Sequence, residues 1–444
     1  MATDNNKLLK VLGLGFGVAV TIGGTIGTGI LRKPGTIAEA IGSPMIIISL
    51  WLAVGLYAIG GVLCASELGV SIPRAGAWYV YAERAFGPYF GFVTGITSWF
   101  GTVAALGFGA YTWSEYIAIL SPSMGGYLEY VSIAILTLLL LFHLIGTNIG
   151  GKSQEVLAII KAVGLLIFVV ICFILGGRNM DSIASVDTSS MSNSLTLMGI
   201  ITALQGIFYT FDGWHTAAYF TEENKDPTKN LAKSMMLGVL AIIGIYILVN
   251  LAIFYVVPMD ELVGSKLAAA LAVEKLFGTG ASNVVTFFLM ISILGILNAQ
   301  VMFAPRVIYS MAHDGLFPKS AVTVNKSGSP SIGLVITVGL SILLILSGKE
   351  ICGKLSDIAT FFFVMSYAAG FASLIKLRMS EPDLERPYKV PFYPALPALL
   401  LVVSLLFLIG AVYQDLESSK YAIIFLAMSY PLYVLTRMVM KLKV

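Results

Sequence analysis

From one end to the other, the chain alternates long apolar runs with short polar connections. Twelve such runs cover positions 11–41, 43–70, 88–119, 127–147, 153–176, 195–221, 232–257, 281–312, 331–347, 355–378, 394–413 and 419–440. A helix rises 1.5 Å per residue, so about 20 residues cross a hydrocarbon core of about 30 Å. The pattern predicts an all-α integral membrane protein with twelve transmembrane helices and both termini on one face. If the N-terminus is cytoplasmic, 19 of the 27 lysines and arginines fall inside and 8 outside. The positive-inside rule therefore places both termini in the cytoplasm. Composition agrees: 57% of residues are hydrophobic and 11% charged, against about 25% charged in a soluble domain. No connection is long enough for a soluble domain, and no nucleic-acid partner is expected. The opening MATDNNKLLK runs into the first span without a small-residue cleavage site, so no removable signal peptide is expected.

Two spans break the pattern at their middles. Span 1 carries TIGGTIGTGILRKPG (21–35), with Gly27 at the midpoint of its apolar stretch. Span 6 carries FYTFDGWHT (208–216), with Asp212 and Gly213 near its centre. Glycine costs about 1 kcal/mol relative to alanine in a helix. An aspartate at membrane depth costs about 2.5–3.5 kcal/mol and marks a candidate functional site. The glycines fit close helix packing or an unwound backbone. Packing glycines fall on one stripe, whereas Gly23, Gly24, Gly27 and Gly29 surround the helix. Two breaks five spans apart predict a 5+5 inverted repeat of the leucine-transporter type, because five is odd and the halves have opposite orientations. The divisions are 1–176 (spans 1–5), 177–379 (spans 6–10) and 380–444 (spans 11 and 12). Each break would aim the amides of one half-helix and the carbonyls of the other at one midplane point, suiting a carboxylate and an ammonium.

Lys161 is the other ionisable residue at depth, nine positions from Lys152, or about 13 Å along a helix. Its side chain is short for snorkelling from there. Cys64, Cys172 and Cys352 have no paired spacing, and His143, His215 and His313 are scattered, so neither a disulfide framework nor a metal site is expected. No cofactor is expected either. Membrane enzymes gather His, Asp or Glu at the interface or set a nucleophile beside a base, and neither pattern is present. Two further readings are a channel, which needs a continuous polar pore, and a non-transporting amino acid sensor, which a long signalling tail would favour.

Five blocks, GGTIGTGILRKPG (23–35), ASELGVSIPRAGAWYVYAERAFG (65–87), FYTFDGWHTAAYFTEENKDPTKNLAKS (208–234), LNAQVMFAPRVIYSMAHDGLFPK (297–319) and RPYKVPFYP (386–394), resemble the amino acid-polyamine-organocation superfamily. Within it the chain is similar to the L-type amino acid transporter branch and its bacterial alanine-serine-cysteine and serine-threonine exchangers. The resemblance implies that Gly27-Thr28-Gly29 is the helix 1 signature. The amides of Thr28, Gly29 and Ile30 would bind a substrate carboxylate, and carbonyls near Thr25, Tyr209 and Asp212 an ammonium. Tyr209, where the family usually has phenylalanine, would cover the substrate. Asp212-Gly213-Trp214 matches the serine-threonine type, and Asp212 would cap the second half of span 6 or favour a cationic substrate. Lys161 would contact the carbonyl of Ile22 or Gly23 and replace sodium, with Asn298 nearby. The family then implies sodium-independent exchange of small neutral L-amino acids by alternating access, or proton symport through Lys161. Glu67 reads as structural. Glu222 and Glu223 face the basic loop of Lys225, Lys229 and Lys233, either as a closing gate or, the preferred reading, as surface charge pairs. The loop between spans 3 and 4, SPSMGG, lacks the cysteine that links animal relatives to a heavy chain. A stand-alone inner-membrane protein, monomeric or loosely homo-oligomeric, is expected.

Overall fold

The computed structural model describes residues 7–177, 196–278, 280–414 and 416–441. Sixteen α-helices are described: α1 (Leu14–Thr25), α2 (Gly29–Ile41), α3 (Pro44–Ser71), α4 (Trp78–Phe86), α5 (Pro88–Leu120), α6 (Leu128–Ile145), α7 (Thr147–Leu175), α8 (Leu197–Phe211), α9 (Pro227–Val256), α10 (Met259–Leu262), α11 (Ala268–Phe277), α12 (Ser282–His313), α13 (Ser331–Leu346), α14 (Lys349–Ser380), α15 (Ala395–Gln414) and α16 (Leu416–Lys441). Ten candidate spans among the described residues are long and apolar enough to cross a membrane, counting Leu14–Ile41 as one. Ser331–Leu346 is apolar but shorter, and α8 is a 15-residue helix. The expected start of span 6 at residue 195 lies outside the described residues.

Local chemistry sets several boundaries. Proline opens α3, α5 and α9, where its missing N–H would have no partner anyway. Thr196 caps α8 by accepting from the Gly199 amide at 3.0 Å, and Asp226 caps α9 through the Lys229 amide at 3.2 Å. Gly42, at φ 71°, closes α2 in the left-handed conformation.

Span 1 runs through the middle of the bundle. Its first half, α1, packs against α7, α9 and α12, while α2 packs against α8 and α11. Phe16, Val20, Ile26 and Ile30 are buried in these contacts. Away from the centre, buried Glu67 accepts from Arg378 Nε at 2.7 Å and from the Val390 amide at 2.6 Å. It thereby ties α3 to α14 and to the segment before α15.

Candidate functional site: where two broken spans meet

Span 1 stops at Thr25 because Ile26 turns extended, with φ −71° and ψ 105°. The chain becomes helical again at Gly29, and the amides of Leu31 and Arg32 both bond the Thr28 carbonyl, at 3.1 and 3.0 Å. Among the described residues, the amides of Thr28, Gly29 and Ile30 have no backbone acceptor. A helix start leaves such donors open, with the positive end of its dipole behind them.

Span 6 stops at Phe211. Asp212 is non-helical (φ −54°, ψ 140°), and its amide caps the helix on the carbonyls of Phe208 and Tyr209. Gly213 follows at φ 109°. The chain then forms a 3-10 helix over Thr216–Glu223 instead of a second α-helix, so helix resumes two residues after Trp214.

These two breaks touch. A Cβ on Gly213 would lie 2.4 Å from the Gly24 carbonyl oxygen, and one on Gly29 would lie 2.4 Å from Thr210 Oγ1. Gly23 faces Gln154 of α7, and Gly27 faces Ile296 of α12, with equally little room. None of Gly23, Gly24, Gly27 and Gly29 has positive φ. The motif's glycines therefore serve approach to different neighbours around the helix, and the break itself is made by ordinary dihedrals at Ile26. Gly213 alone combines both demands. Gly213→Ala is expected to cost at least about 1–2 kcal/mol from the left-handed backbone alone, plus displacement of Gly24. A lowered melting temperature in detergent and uptake reduced at least about tenfold would show it; wild-type melting would refute it.

Tyr246 of α9 clamps both breaks, its hydroxyl lying 3.1 Å from the Thr25 carbonyl and 2.9 Å from that of Thr210. Two of the carbonyls expected to meet an ammonium, those of Thr25 and Tyr209, thus already accept an internal bond, each keeping a second lone pair. Asp212 accepts a hydrogen bond from the Tyr367 hydroxyl of α14. Beneath it, buried His215 lies among the rings of Trp78, Trp214, Tyr219 and Tyr367.

Lys161 is fully buried, and its ammonium donates to the carbonyls of Gly23 and Ile26, each at 2.8 Å. Of the two acceptors expected, Gly23 is used and Ile22 is not, because the Ile22 carbonyl already accepts from the Ile26 amide. Ile26 takes its place because its extended conformation frees its carbonyl from a helical partner. Ser292 Oγ lies 3.4 Å from the same oxygen, and Gly295 leaves room for the lysine, since a Cβ there would be 2.3 Å from Lys161 Cε. One turn on, Asn298 Oδ1 pairs with His143 Nε2 at 2.9 Å, and its amide donates to Gln154 at 2.6 Å. Asn298 therefore braces α6, α7 and α12 beside the lysine without bonding it. Among the described residues no His, Cys, Asp or Glu group could hold a metal.

A cavity of about 390 Å³ has Thr28, Gly29 and Tyr209 in its wall and reaches the surface beside the exposed Thr36 and Lys266. The opposite end is shut. Leu12 pairs with the chain after span 6 through Leu12 N to Glu223 O at 3.1 Å and Lys225 N to Leu12 O at 2.9 Å. Glu223, expected at the surface, is buried against Arg306 of α12, with Nη2 to Oε1 at 2.7 Å. The 3-10 turn rotates it inward. Glu222 accepts from the Ala75 amide at 3.1 Å. Tyr246, Tyr367, Ser292 and Gly295 carry no distinguishing signal in the sequence, where a tyrosine is one of 20 in the chain.

The family model described as amino acid permease matches residues 15–435. The chain belongs to that family. It is a multi-pass membrane transporter of amino acids in the amino acid-polyamine-organocation superfamily, not an enzyme. The serine/threonine exchanger SteT of Bacillus subtilis (strain 168) is 27% identical over 98% of each chain. The b(0,+)-type amino acid transporter 1 of Mus musculus is 27% identical over 92% of this chain and 84% of its own. The human cystine/glutamate transporter is 25% identical over 94% of this chain and 83% of its own. The similarity places the permease in the branch holding this bacterial exchanger and the L-type transporters.

Proposed function

We propose that the permease is a sodium-independent exchanger of small neutral L-amino acids, working by alternating access. The observation that carries this reading is Lys161, whose ammonium sits 2.8 Å from two carbonyls at the break of span 1. A fixed cation there supplies the charge that a sodium ion would otherwise bring, and the open amides of Thr28, Gly29 and Ile30 offer a carboxylate site. Thr25, Tyr209, Asp212 and Gly213 complete the substrate site, and Gly23, Lys161 and Asn298 form the coupling cluster. The small-neutral preference follows the exchanger activity in the name of the bacterial relative.

Twelve spans in a 5+5 inverted repeat, an inner-membrane location, cytoplasmic termini and a stand-alone subunit belong to the same reading. In that orientation the cavity at Thr28 and Tyr209 faces outward and the Glu223–Arg306 end is the closed cytoplasmic side. Uptake into proteoliposomes tests it. Labelled serine, alanine or threonine is expected to enter only vesicles preloaded with an amino acid, with no response to sodium. Uptake into empty vesicles driven by a proton gradient would replace exchange with symport.

A further inference from the structure

Arg32 and Lys33 follow Gly29 by three and four positions, so they share its face of α2. Both line the cavity that has Thr28 and Gly29 in its wall, as does Lys266 from the segment before α11. Among the described residues these are the charged groups of the lining, and all three are cations. Glu39 and Glu115 do not belong to it. The Lys33 ammonium lies 5.8 Å from the ring centroid of Tyr209, its stem passing over Gly206, and the Arg32 guanidinium lies 5.8 Å from the ring of Tyr116. Aromatic faces thus hold both cations beside the path to the open amides.

We infer that Arg32 and Lys33 form a charge filter at the outer mouth, admitting amino acids of zero or negative net charge and repelling those with a cationic side chain. The inference rests on the transport reading and adds the charge class of the substrate. An incoming carboxylate passes Arg32, Lys33 and Lys266 on the way to Thr28 and Gly29, which raises its local concentration and points it inward. A second ammonium, on a lysine or ornithine side chain, must pass Lys33 within a few ångströms, inside the Debye length of about 8 Å at physiological salt, so bulk ions screen it poorly.

The test is inhibition of neutral amino acid exchange in proteoliposomes by glutamine, glutamate and lysine, which are similar in length and differ in charge. Wild-type protein is expected to be inhibited about tenfold or more weakly by lysine than by glutamine. In Arg32→Gln/Lys33→Gln, lysine is expected to come within about threefold of glutamine. The KM for the neutral substrate should rise and lose its dependence on ionic strength, with Vmax retained. Lys33→Arg keeps the charge and should keep the wild-type ranking. Equal inhibition by lysine and glutamine in the wild type, or an unchanged ranking in the double variant, overturns the filter. So does inhibition by acetate as strong as that by glutamate, which would mean capture of any small anion. Thermal stabilisation of the purified protein by the same three amino acids ranks them without transport. A wild type that exchanges nothing yet keeps that ranking refutes the transport reading alone.

Discussion

Lys161→Ala is expected to abolish amino acid transport. In the native protein the ammonium satisfies two buried carbonyls, Gly23 O and Ile26 O, at the point where span 1 breaks. Its removal leaves them without a donor in a region water does not reach, at about 1–3 kcal/mol each. That corresponds to roughly one to several factors of ten in the population of the competent break geometry. Lys161→Met fills the same space beside Gly295 but donates no hydrogen bond, and should still elute as a folded protein, with a lowered melting temperature, while transporting as poorly as alanine. Lys161→Arg should not rescue, since a Cβ-sized addition at Gly295 already meets the lysine at 2.3 Å and a guanidinium needs more room. Counterflow in proteoliposomes, with size-exclusion profiles to report folding, reads all three. Uptake at wild-type rate by Lys161→Met would remove the lysine from the mechanism.

The second large effect is expected at the closed end. Glu223 and Arg306 are both buried, and the guanidinium also lies 4.5 Å from the Phe220 ring centroid. Breaking such a pair from one side strands the other charge, at about 3–5 kcal/mol, whereas replacing both partners by apolar residues is often close to neutral. Arg306→Met and Glu223→Leu singly should therefore melt well below wild type in detergent, and the double variant should recover most of the loss. If either single variant melts at the wild-type temperature, the pair is not the closure described. Because the pair joins the chain after span 6 to α12, the double variant should also open more readily on that side. Faster modification of a cysteine placed at Leu12, buried in this state, would report it.

Much of the site was legible in the chain because membrane depth makes rare residues conspicuous. Asp212 and Lys161 stood out as ionisable groups in apolar runs, and the glycines of span 1 as helix weakeners. What the glycines do depends on their neighbours in the fold. Their dihedrals are unremarkable, and they are small because Gln154, Thr210, Thr216 and Ile296 come too close for a side chain. Such crowding depends on partners more than a hundred positions away and leaves no local signature. The same holds for Glu223, which stands between Glu222 and Lys225 along the chain but whose partner lies 83 positions on.

The sequence by itself determined the membrane class, the family, the two breaks and the residues at them, because periodic apolarity and misplaced polar groups are local properties of a chain in lipid. The tertiary structure decided which carbonyls Lys161 takes, that Tyr246 clamps both breaks, which end of the path is shut, and that Arg32 and Lys33 line the route to the open amides. Those outcomes depend on distances between helices far apart in sequence, and a hydrogen bond or a steric conflict is settled within a few tenths of an ångström.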